Sequence, residues 1–269
     1  MRRVIKFDPR TYWEDRHYRN YGPESVGYAG LGVPFNNWMY RVRRRVVERQ
    51  LRKAAIDLSE CDVLDIGSGT GFYVQLWDKL GAKSVTGSDL APFAVRALAE
   101  KFSSHRFFDL DISGNGLPID LGKFDLVSAF DVLYHIVQDD AYRRAFSNIK
   151  SLVRPGGYFI FSENFLLQKR ETLTHQVSRT YTEVAALLAE NEFELILRAP
   201  MFFFMNRPIK SSNVLLRVSW AAIRRIAGMT HRPYLGSWLG ALLYPIELLC
   251  LCFISTGPTT EVFLCRLRN

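Results

Sequence analysis

The chain has 269 residues, of which 48% are hydrophobic and 13% aromatic, so it can fill the core of one α/β domain with additions and needs no second full domain. Its four cysteines lack the paired spacing of a metal site, and no apolar secretory run follows Met1, so we expect a reduced, cytosolic protein. Of the net charge of +8, residues 1–60 carry +6, 61–205 carry −4, 206–258 carry +5 and 259–269 carry +1. This distribution favours an anionic substrate or surface, or serves solubility alone.

The first 60 residues are predicted to form an N-terminal arm and an amphipathic helix. Residues 1–35 are rich in aromatic residues, glycine and proline. From Asn36 to Ile56, apolar residues recur every three or four positions, which predicts a helix with one buried face. Its other face carries the basic run between Arg41 and Lys53, and such a run usually forms a solvated surface.

The most informative stretch runs from Cys61 to Tyr73 and predicts a strand, a glycine turn and a helix. The three glycines allow a ligand to approach the backbone closely. Their spacing, Asp65-x-Gly67-x-Gly69-x-Gly71, differs from the G-x-G-x-x-G of dinucleotide-binding proteins. A carboxylate at the strand end would repel a pyrophosphate, so a cationic ligand is favoured.

This pattern resembles motif I of the class I S-adenosylmethionine-dependent methyltransferases, whose cofactor carries an ammonium and a sulfonium. Later predicted strands agree with the resemblance. The second (84–90) carries Asp89 at its end, the third (106–112) carries Asp111, and the fourth is 124–130. Residues 152–163 resemble the family's helix end, turn and fifth strand. The resemblance implies that Asp89 accepts both ribose hydroxyls and that Asp111 meets the adenine amino group. Asp109 is a near neighbour that leaves the register of the third strand open.

The resemblance also implies S-adenosyl-L-methionine as cofactor and S-adenosyl-L-homocysteine as product. The opening Tyr-Trp-x-x-Arg-x-Tyr resembles the segment that closes over the methionine end of the cofactor in many members of the family, although a surface arm is the alternative. The expected cofactor-binding residues are Tyr12, Tyr18, Asp65, Gly67, Ser68, Gly69, Gly71, Asp89, Leu90, Asp111, Ile112 and Phe130.

The alternation of strands and helices predicts an α/β fold, a doubly wound, Rossmann-like seven-stranded sheet of order 3-2-1-4-5-7-6 with strand 7 antiparallel. Thr180-x-x-Glu183 predicts a capped helix before strand six, residues 193–205, and residues 261–268 form strand seven. The expected parts are an N-terminal arm and helix (1–60), the methyltransferase core (61–205), a helical insertion between strands 6 and 7 (206–258) and the last strand (259–269).

The insertion leaves and re-enters the sheet at the edge where open α/β sheets bind ligands. Its segment from Leu235 to Ser255 is almost wholly apolar and by length could cross a membrane. A single crossing would separate strand seven from its sheet. We therefore expect a lid whose apolar helix covers the acceptor pocket, a dimer contact, or an interfacial element that meets anionic headgroups.

Methyl transfer from a sulfonium is an in-line displacement, and an oxygen acceptor also gains from a general base. His135, after strand four, and His175, after strand five, project from the ligand edge and are candidate bases. Glu163 is a candidate to bind an acceptor hydroxyl. The sequence has no evident metal-ligand cluster and no nucleic-acid recognition motif, so neither partner is expected.

The favoured function is O-methylation of a small molecule or of a lipid-linked or sugar acceptor, including anionic ones, because the acceptor region combines aromatic, apolar and basic residues. N-methylation of a small amine and a non-catalytic, cofactor-binding partner subunit stay open, while the glycine spacing disfavours a nicotinamide-dependent oxidoreductase. A cytoplasmic location is expected, with peripheral contact to the inner face of a membrane and a homodimer as open alternatives.

Overall fold

The computed structural model describes residues 7–165, 171–172 and 175–269, so residues 1–6 and parts of the predicted loop after strand five lie outside the described residues. Within them, one seven-stranded sheet carries helices on both faces. A separate two-stranded ribbon pairs Glu171–Thr172 with Val177–Ser178. The strands of the sheet are β1 (Asp62–Ile66), β2 (Ser84–Asp89), β3 (Arg106–Asp109), β4 (Phe124–Ala129), β5 (Val153–Glu163), β6 (Phe193–Pro200) and β7 (Glu261–Leu267).

The strand order is β3-β2-β1-β4-β5-β7-β6. Strand β7 runs antiparallel to both of its neighbours, and the other adjacent pairs are parallel. The predicted topology is therefore confirmed. Parallel strands end at the same edge of a sheet, so the residues that follow β1, β2 and β4 come together there.

Two strands end earlier than predicted. Strand β3 ends at Asp109 rather than Ile112, because the Asp111 carboxylate accepts hydrogen bonds from the backbone N–H and the hydroxyl of Ser113 and turns the chain. Strand β6 ends at Pro200 rather than at residue 205. The backbone N–H groups of Phe203, Phe204 and Met205 bind the Glu247 carboxylate instead of a neighbouring strand. Both ends lie at the predicted ligand edge.

The helices confirm most of the predicted elements. Helix α3 starts four residues before the predicted Asn36, and both hydrogen bonds of the Thr180–Glu183 capping box are present at α7. The helices are α1 (Pro9–Arg19), α2 (Pro23–Val26), α3 (Gly32–Lys53), α4 (Phe72–Lys79), α5 (Pro92–Lys101), α6 (Asp139–Leu152), α7 (Tyr181–Glu190), α8 (Val214–Ala227) and α9 (Pro233–Phe253).

Helix α3 organises one face of the sheet. Its apolar residues, such as Val42 and Val47, share a core with α4 and with sheet residues such as Ile160, while α6 and α7 pack on the other face. The prediction that the basic run of α3 is solvated is wrong for Arg43, which is buried and lies 2.6 Å from a carboxylate oxygen of Asp131. The Arg43 side chain can be buried because the Asp131 carboxylate compensates its charge.

Helix α9 packs along α3, and α8 packs against α9. A Cβ atom on Gly240 would lie 2.2 Å from the ring of Trp38, so only glycine allows this close approach of the two helices. Glu247 is the charged residue of α9, and it is buried. Its carboxylate accepts hydrogen bonds from the backbone N–H groups of Phe203, Phe204 (2.8 Å) and Met205 (3.3 Å). The carboxylate thus fixes α9 to the chain that leaves β6.

Both ends of the insertion are also attached to the sheet. The Lys210 ammonium lies 2.7 Å from Oε1 of the buried Glu261, the first residue of β7. The backbone N–H of Gly257 donates to the same oxygen at 3.1 Å. The insertion therefore begins and ends at one carboxylate.

We expect Glu247→Ala to lower the free energy of unfolding by about 2–4 kcal/mol, because three buried backbone N–H groups lose their acceptor. Leu249→Ala, on the same helix but at a side chain 61% exposed, should lower it by less than about 1 kcal/mol. Urea denaturation followed by circular dichroism measures both values. Equal, small effects would contradict the packing of α9.

The same carboxylate should also contribute to the pH dependence of stability. Burial raises the pKa of Glu247 from 4.5 to about 7 in the folded protein. A raised carboxyl pKa means that the folded state holds more protons, so this contribution to stability falls as the pH rises between these two values. The Glu247→Gln variant should lack this part of the pH dependence.

Candidate active site

The carboxyl ends of β1, β2 and β4 surround a cleft with about 840 Å³ of empty volume, including its mouth. The sequence predicted many of its wall residues. Those that the structure brings together are Gly67, Ser68, Gly69, Asp89, Leu90, Asp111, Ile112 and Phe130.

The glycine loop forms the floor of the cleft. Gly67 and Gly69 have φ angles of 71° and 54°, a region that disfavours other residues. A Cβ on Gly67 would lie 2.3 Å from a methyl of Val132, another wall residue. The loop is held by the Ser68 N–H, which donates to the Ser88 carbonyl at 2.8 Å. Only glycine therefore fits at Gly67, and the loop is rigidly placed in the wall of the cleft.

Asp89 is the buried acid of the cleft. One carboxylate oxygen accepts a hydrogen bond from the Gly69 N–H at 2.8 Å, and the other accepts from the Ala91 N–H at 2.9 Å. Burial raises the pKa of Asp89, whereas these N–H donors favour its charged form. A carboxylate has about four acceptor positions, so two remain for hydroxyl groups of a ligand.

The structure distinguishes the two acids near the end of β3. Asp111 lies in the wall of the cleft. Asp109 instead forms a two-pronged ion pair with Arg10 of α1, at 2.7 and 2.8 Å. Of the two candidate acids, Asp111 is therefore the one that reaches the cleft, as predicted. Asp109 instead holds helix α1 in place.

Helix α1 covers the cleft with a different face from the one predicted. Trp13 and His17 are in the wall, whereas Tyr12 and Tyr18 are not. Tyr18 is 77% exposed, and the Tyr12 ring stacks on His175. A helical face repeats every three or four residues, so Trp13 and His17 share one side of α1 and the two tyrosines lie on others.

Further contacts hold this N-terminal segment in place. Glu14 accepts a hydrogen bond from the Phe93 N–H at the start of α5, at 2.9 Å. The Tyr21 hydroxyl donates to the Gly69 carbonyl at 2.8 Å. Together with the Arg10–Asp109 pair, these bonds join the segment to the loops after β1 and β2 and to the end of β3. The N-terminal segment therefore closes the cleft rather than forming a separate arm.

Two predicted cofactor residues lie behind the wall. Asp65 is buried, accepts a hydrogen bond from the Ser128 hydroxyl at 2.6 Å, and has a pKa raised to about 7 by burial. Gly71 has a φ of 85°, and a Cβ there would meet Phe102 at 2.5 Å. Both residues shape the glycine loop from beneath, so the idea that Asp65 faces a cationic ligand is not supported by its position.

A second cavity adjoins the first, with about 1140 Å³ of empty volume including its mouth. The two share Trp13, Val26, Asp131 and His135 in their walls. The second cavity is more polar, and its wall also includes Arg16, Arg43, Asn164, His175, Asn206 and Arg207. A ligand in one cavity would thus meet a ligand in the other beside Asp131 and His135.

His135 lies at this junction in a defined tautomer. Its Nδ1 is 2.9 Å from the backbone carbonyl oxygen of His175. Since a carbonyl only accepts, Nδ1 carries the proton and Nε2 keeps its lone pair when the ring is neutral. Burial lowers the pKa of His135 to about 4, so the ring is neutral near pH 7. His175 supplies that carbonyl and its ring lines the second cavity.

Asp131, which the sequence analysis did not select, connects several parts of the site. It follows β4 with a φ of 60°, which is unusual for a residue with a side chain. Its N–H donates to the Ser162 hydroxyl at 2.7 Å, that hydroxyl donates back to the Asp131 carboxylate at 3.0 Å, and Arg43 pairs with the other oxygen. Its position just after β4 could have identified it in the sequence, because residues that follow parallel strands lie at the ligand edge.

Glu163 lies outside the walls of both cavities. It is buried, and its carboxylate accepts hydrogen bonds from the Tyr142 hydroxyl at 2.8 Å and the Asn164 N–H at 3.0 Å. Burial raises its pKa to about 7. The predicted contact with an acceptor hydroxyl is therefore not supported, because the side chain turns into the core on the α6 side of the sheet.

Among the described residues of the insertion, only the first few lie in the wall of the second cavity. Asn206, Arg207 and Ile209 are in the wall, whereas α8 and α9 are not. The prediction that the apolar helix covers the acceptor pocket is therefore wrong. Helix α9 packs on α3 instead, because its glycines fit against Phe35 and Trp38, while Glu247 fixes it to the chain that leaves β6.

The position of α1 gives a matched test of the cleft. We expect Trp13→Ala to weaken the binding of S-adenosylhomocysteine by at least about tenfold, because a large apolar wall is lost. Tyr18→Ala on the same helix should leave affinity within about twofold, because that exposed ring contributes little. Isothermal titration calorimetry measures both. Equal losses, or none with Trp13→Ala, would contradict this wall.

The family described as "Methyltransferase domain" matches residues 63–157, which extend from β1 into β5 and include the glycine loop, Asp89 and Asp111. The chain is 28% identical over 191 residues to the ribosomal protein L11 methyltransferase of Clostridium perfringens, in a match that covers 70% of this chain and 56% of that protein. The chain thus spans little more than half the length of this curated relative.

Two solved structures are similar over most of their length. One is an S-adenosylmethionine-dependent methyltransferase from Clostridium acetobutylicum ATCC 824, with a TM-score of 0.55, 15% identity, and coverage of 86% of this chain and 92% of that one. The other is the magnesium protoporphyrin IX methyltransferase of Synechocystis PCC 6803, with a TM-score of 0.55, 16% identity, and coverage of 96% and 94%. At these identities the likeness establishes the fold.

The domain match covers the strands that carry the glycine loop and both cleft acids, and the sheet has the same architecture as these structures. The chain thus carries a methyltransferase domain over residues 63–157, and its fold is that of S-adenosylmethionine-dependent methyltransferases.

Proposed function

We propose that this methyltransferase methylates an oxygen atom of a small, anionic acceptor, free or linked to a sugar or lipid, held in the second cavity. The observation that carries the proposal is that the glycine-loop cleft and the polar cavity share His135 and Asp131 in their walls. Methyl transfer requires the donor and the acceptor to meet at one point, with water kept out. The shared wall is such a point.

The cleft residues fit the family cofactor. Gly67 and Gly69 lie in the wall of the cleft, Asp89 has acceptor positions for ribose hydroxyls, and Asp111 lies in the wall for the adenine end. When bound, S-adenosylmethionine supplies an electrophilic methyl group on a sulfonium. The protein's part is to hold the two ligands in line.

The second cavity favours an anionic acceptor. Arg43 is committed to Asp131, and Arg16 donates to the backbone carbonyl of Ser25 at 2.5 Å. Arg207 is exposed and makes no side-chain ion pair with the residues described. Its guanidinium can therefore bind a carboxylate or phosphate in two-pronged geometry. Asn164 and Asn206 add polar groups that can orient the rest of the acceptor.

His135 is placed to receive the proton of an acceptor hydroxyl. Its unprotonated Nε2 belongs to a buried ring in the wall of both cavities. A pKa near 4 makes it a weak base toward a free hydroxyl. An oxygen that is gaining a methyl group becomes strongly acidic, so a weak base is sufficient at that stage. Transfer of the methyl group to the oxygen would break its bond to the sulfonium sulfur and leave a neutral thioether, and Nε2 of His135 would take the hydroxyl proton.

Two other acceptors are distinguished by experiment. A small amine is disfavoured by the arginines of the cavity, since a cationic acceptor would be repelled. A protein side chain is the second candidate, because of the similarity to the ribosomal protein L11 methyltransferase. Incubation with methyl-tritiated S-adenosylmethionine and a cell extract tests them all. Label in small acidic molecules supports the proposal, whereas label in precipitated protein, in amines, or in nothing contradicts it.

We expect His135→Ala to lower methyl transfer by about a hundredfold or more while S-adenosylhomocysteine affinity stays nearly unchanged. His231→Ala, at an exposed histidine outside the site, is the matched control and should have no effect. Transfer of the tritiated methyl group to the identified acceptor measures the rate.

The pH profile gives an independent check of this role. Because burial lowers the pKa of His135 to about 4, the neutral form persists well below pH 6.5. The value of kcat/KM should fall only as the pH falls through about 4, not near 6.5. An unaltered rate in His135→Ala, or a fall near 6.5 in the wild type, would leave the histidine a structural residue.

A further inference from the structure

Helix α9 presents an apolar face to solvent. Its exposed large side chains recur every three or four residues, so they form one stripe along the helix. Trp238 is 75% exposed, Leu242 65% and Phe253 82%. The remaining members of the stripe are Tyr234, Ile246 and Leu249. A surface helix of a soluble protein normally carries charged residues at these positions.

The polarity of α9 is reversed relative to such a helix. Its charged residue, Glu247, is on the buried side, and its exposed side has no charged residue among those described. The helix has 21 residues and a mean hydropathy of 1.6, long and apolar enough to cross a bilayer. Packing of the inner side on α3 leaves the outer stripe without a partner among the residues that the structure describes.

Basic residues surround the stripe. Helix α8, packed against α9, exposes Val214, Leu215 and Val218 together with Arg217, Arg224 and Arg225. Arg41, Arg44 and Arg45 of α3 also lie beside Tyr244 of α9, and the last two of these arginines pair with Glu48. Residues 206–258 contain six Lys or Arg and one acid, Glu247, which is buried. The insertion therefore displays apolar and positive groups and no negative ones.

This combination determines the partner. We propose that α8 and α9 dock this protein on the surface of an anionic lipid bilayer, with the stripe in the interface and the arginines on the headgroups. A protein partner or a second copy would have to match both the apolar stripe and an excess of positive charge. A second copy brings the same positive charge and is disfavoured by repulsion. A lipid surface supplies apolar depth and negative charge together.

The attachment of the insertion keeps α9 in the plane of the membrane. Lys210 and Gly257 both bind Glu261, so the chain enters and leaves at one point of the sheet. A crossing by α9 would require a second crossing by residues 211–232, which contain four arginines, and α8 has only 14 residues. A span needs about 20 apolar residues. This inference does not depend on the identity of the acceptor.

Co-sedimentation of the full chain with vesicles tests the proposal. We expect binding to vesicles of phosphatidylcholine with phosphatidylglycerol, weaker binding to phosphatidylcholine alone, and loss of the difference at high salt. Trp238→Glu with Leu242→Glu should weaken binding to the anionic vesicles by at least about tenfold. Ile119→Glu, at another fully exposed apolar residue far from the insertion in sequence, should leave it unchanged.

Two further measurements keep the outcomes distinct. Arg224→Glu with Arg225→Glu should weaken binding to anionic vesicles and leave binding to phosphatidylcholine unchanged. Unchanged S-adenosylhomocysteine affinity shows that each variant is folded. Weaker vesicle binding by such a variant then reports lost docking, independently of whether the proposed methyl transfer is correct. No vesicle binding, binding unaffected by the Trp238 and Leu242 changes, or a dimer in light scattering that these changes dissociate would each overturn the proposal.

Discussion

The buried pair of Arg43 and Asp131 joins the parts of this enzyme. Asp131 follows β4 at a positive φ, which costs about 1–3 kcal/mol and persists only where surrounding contacts hold it. Arg43 and the Ser162 hydroxyl supply those contacts. Removing one partner of a buried pair costs about 3–5 kcal/mol, because the other charge is left uncompensated. The pair thus fixes helix α3 to the point where the glycine-loop cleft and the second cavity meet.

Each layer of the molecule is placed through that helix. The sheet brings the glycine loop, Asp89 and Asp111 to one edge, and α1 closes the cleft over them. Helix α3 carries Arg43 into the site on its inner side and α9 along another side. A surface docked through α9 would therefore be mechanically connected to the active site by one rigid helix of 22 residues.

Strand order and most cleft residues could be predicted from the sequence because they depend on local rules. Gly67 directly follows a buried parallel strand and Asp89 ends one, so both had to lie at the ligand edge, whereas Asp111, two residues beyond β3, came from the family resemblance. The two tyrosines of α1 failed because the motif was taken as a set of residues, whereas the helix presents one face. The four-residue spacing of Trp13 and His17 carried the missing information.

The insertion shows where sequence reasoning stopped. Its helices were predicted, but the surface they cover is a tertiary property, and an apolar helix can satisfy its composition against a pocket, a core or a membrane. The signals that decided its packing were a glycine facing Trp38 and a single buried glutamate facing backbone N–H groups. Neither signal identifies its partner before the fold is known.

We infer that the glycine-loop cleft holds the cofactor with its reactive end toward His135 and Asp131. A crystal structure with S-adenosylhomocysteine tests this placement. We expect ribose hydroxyls on Asp89, the adenine beside Asp111 and Ile112, Trp13 and His17 over the ligand, and the sulfur directed toward the second cavity. A ligand bound outside this cleft, or a sulfur directed away from His135, would contradict it.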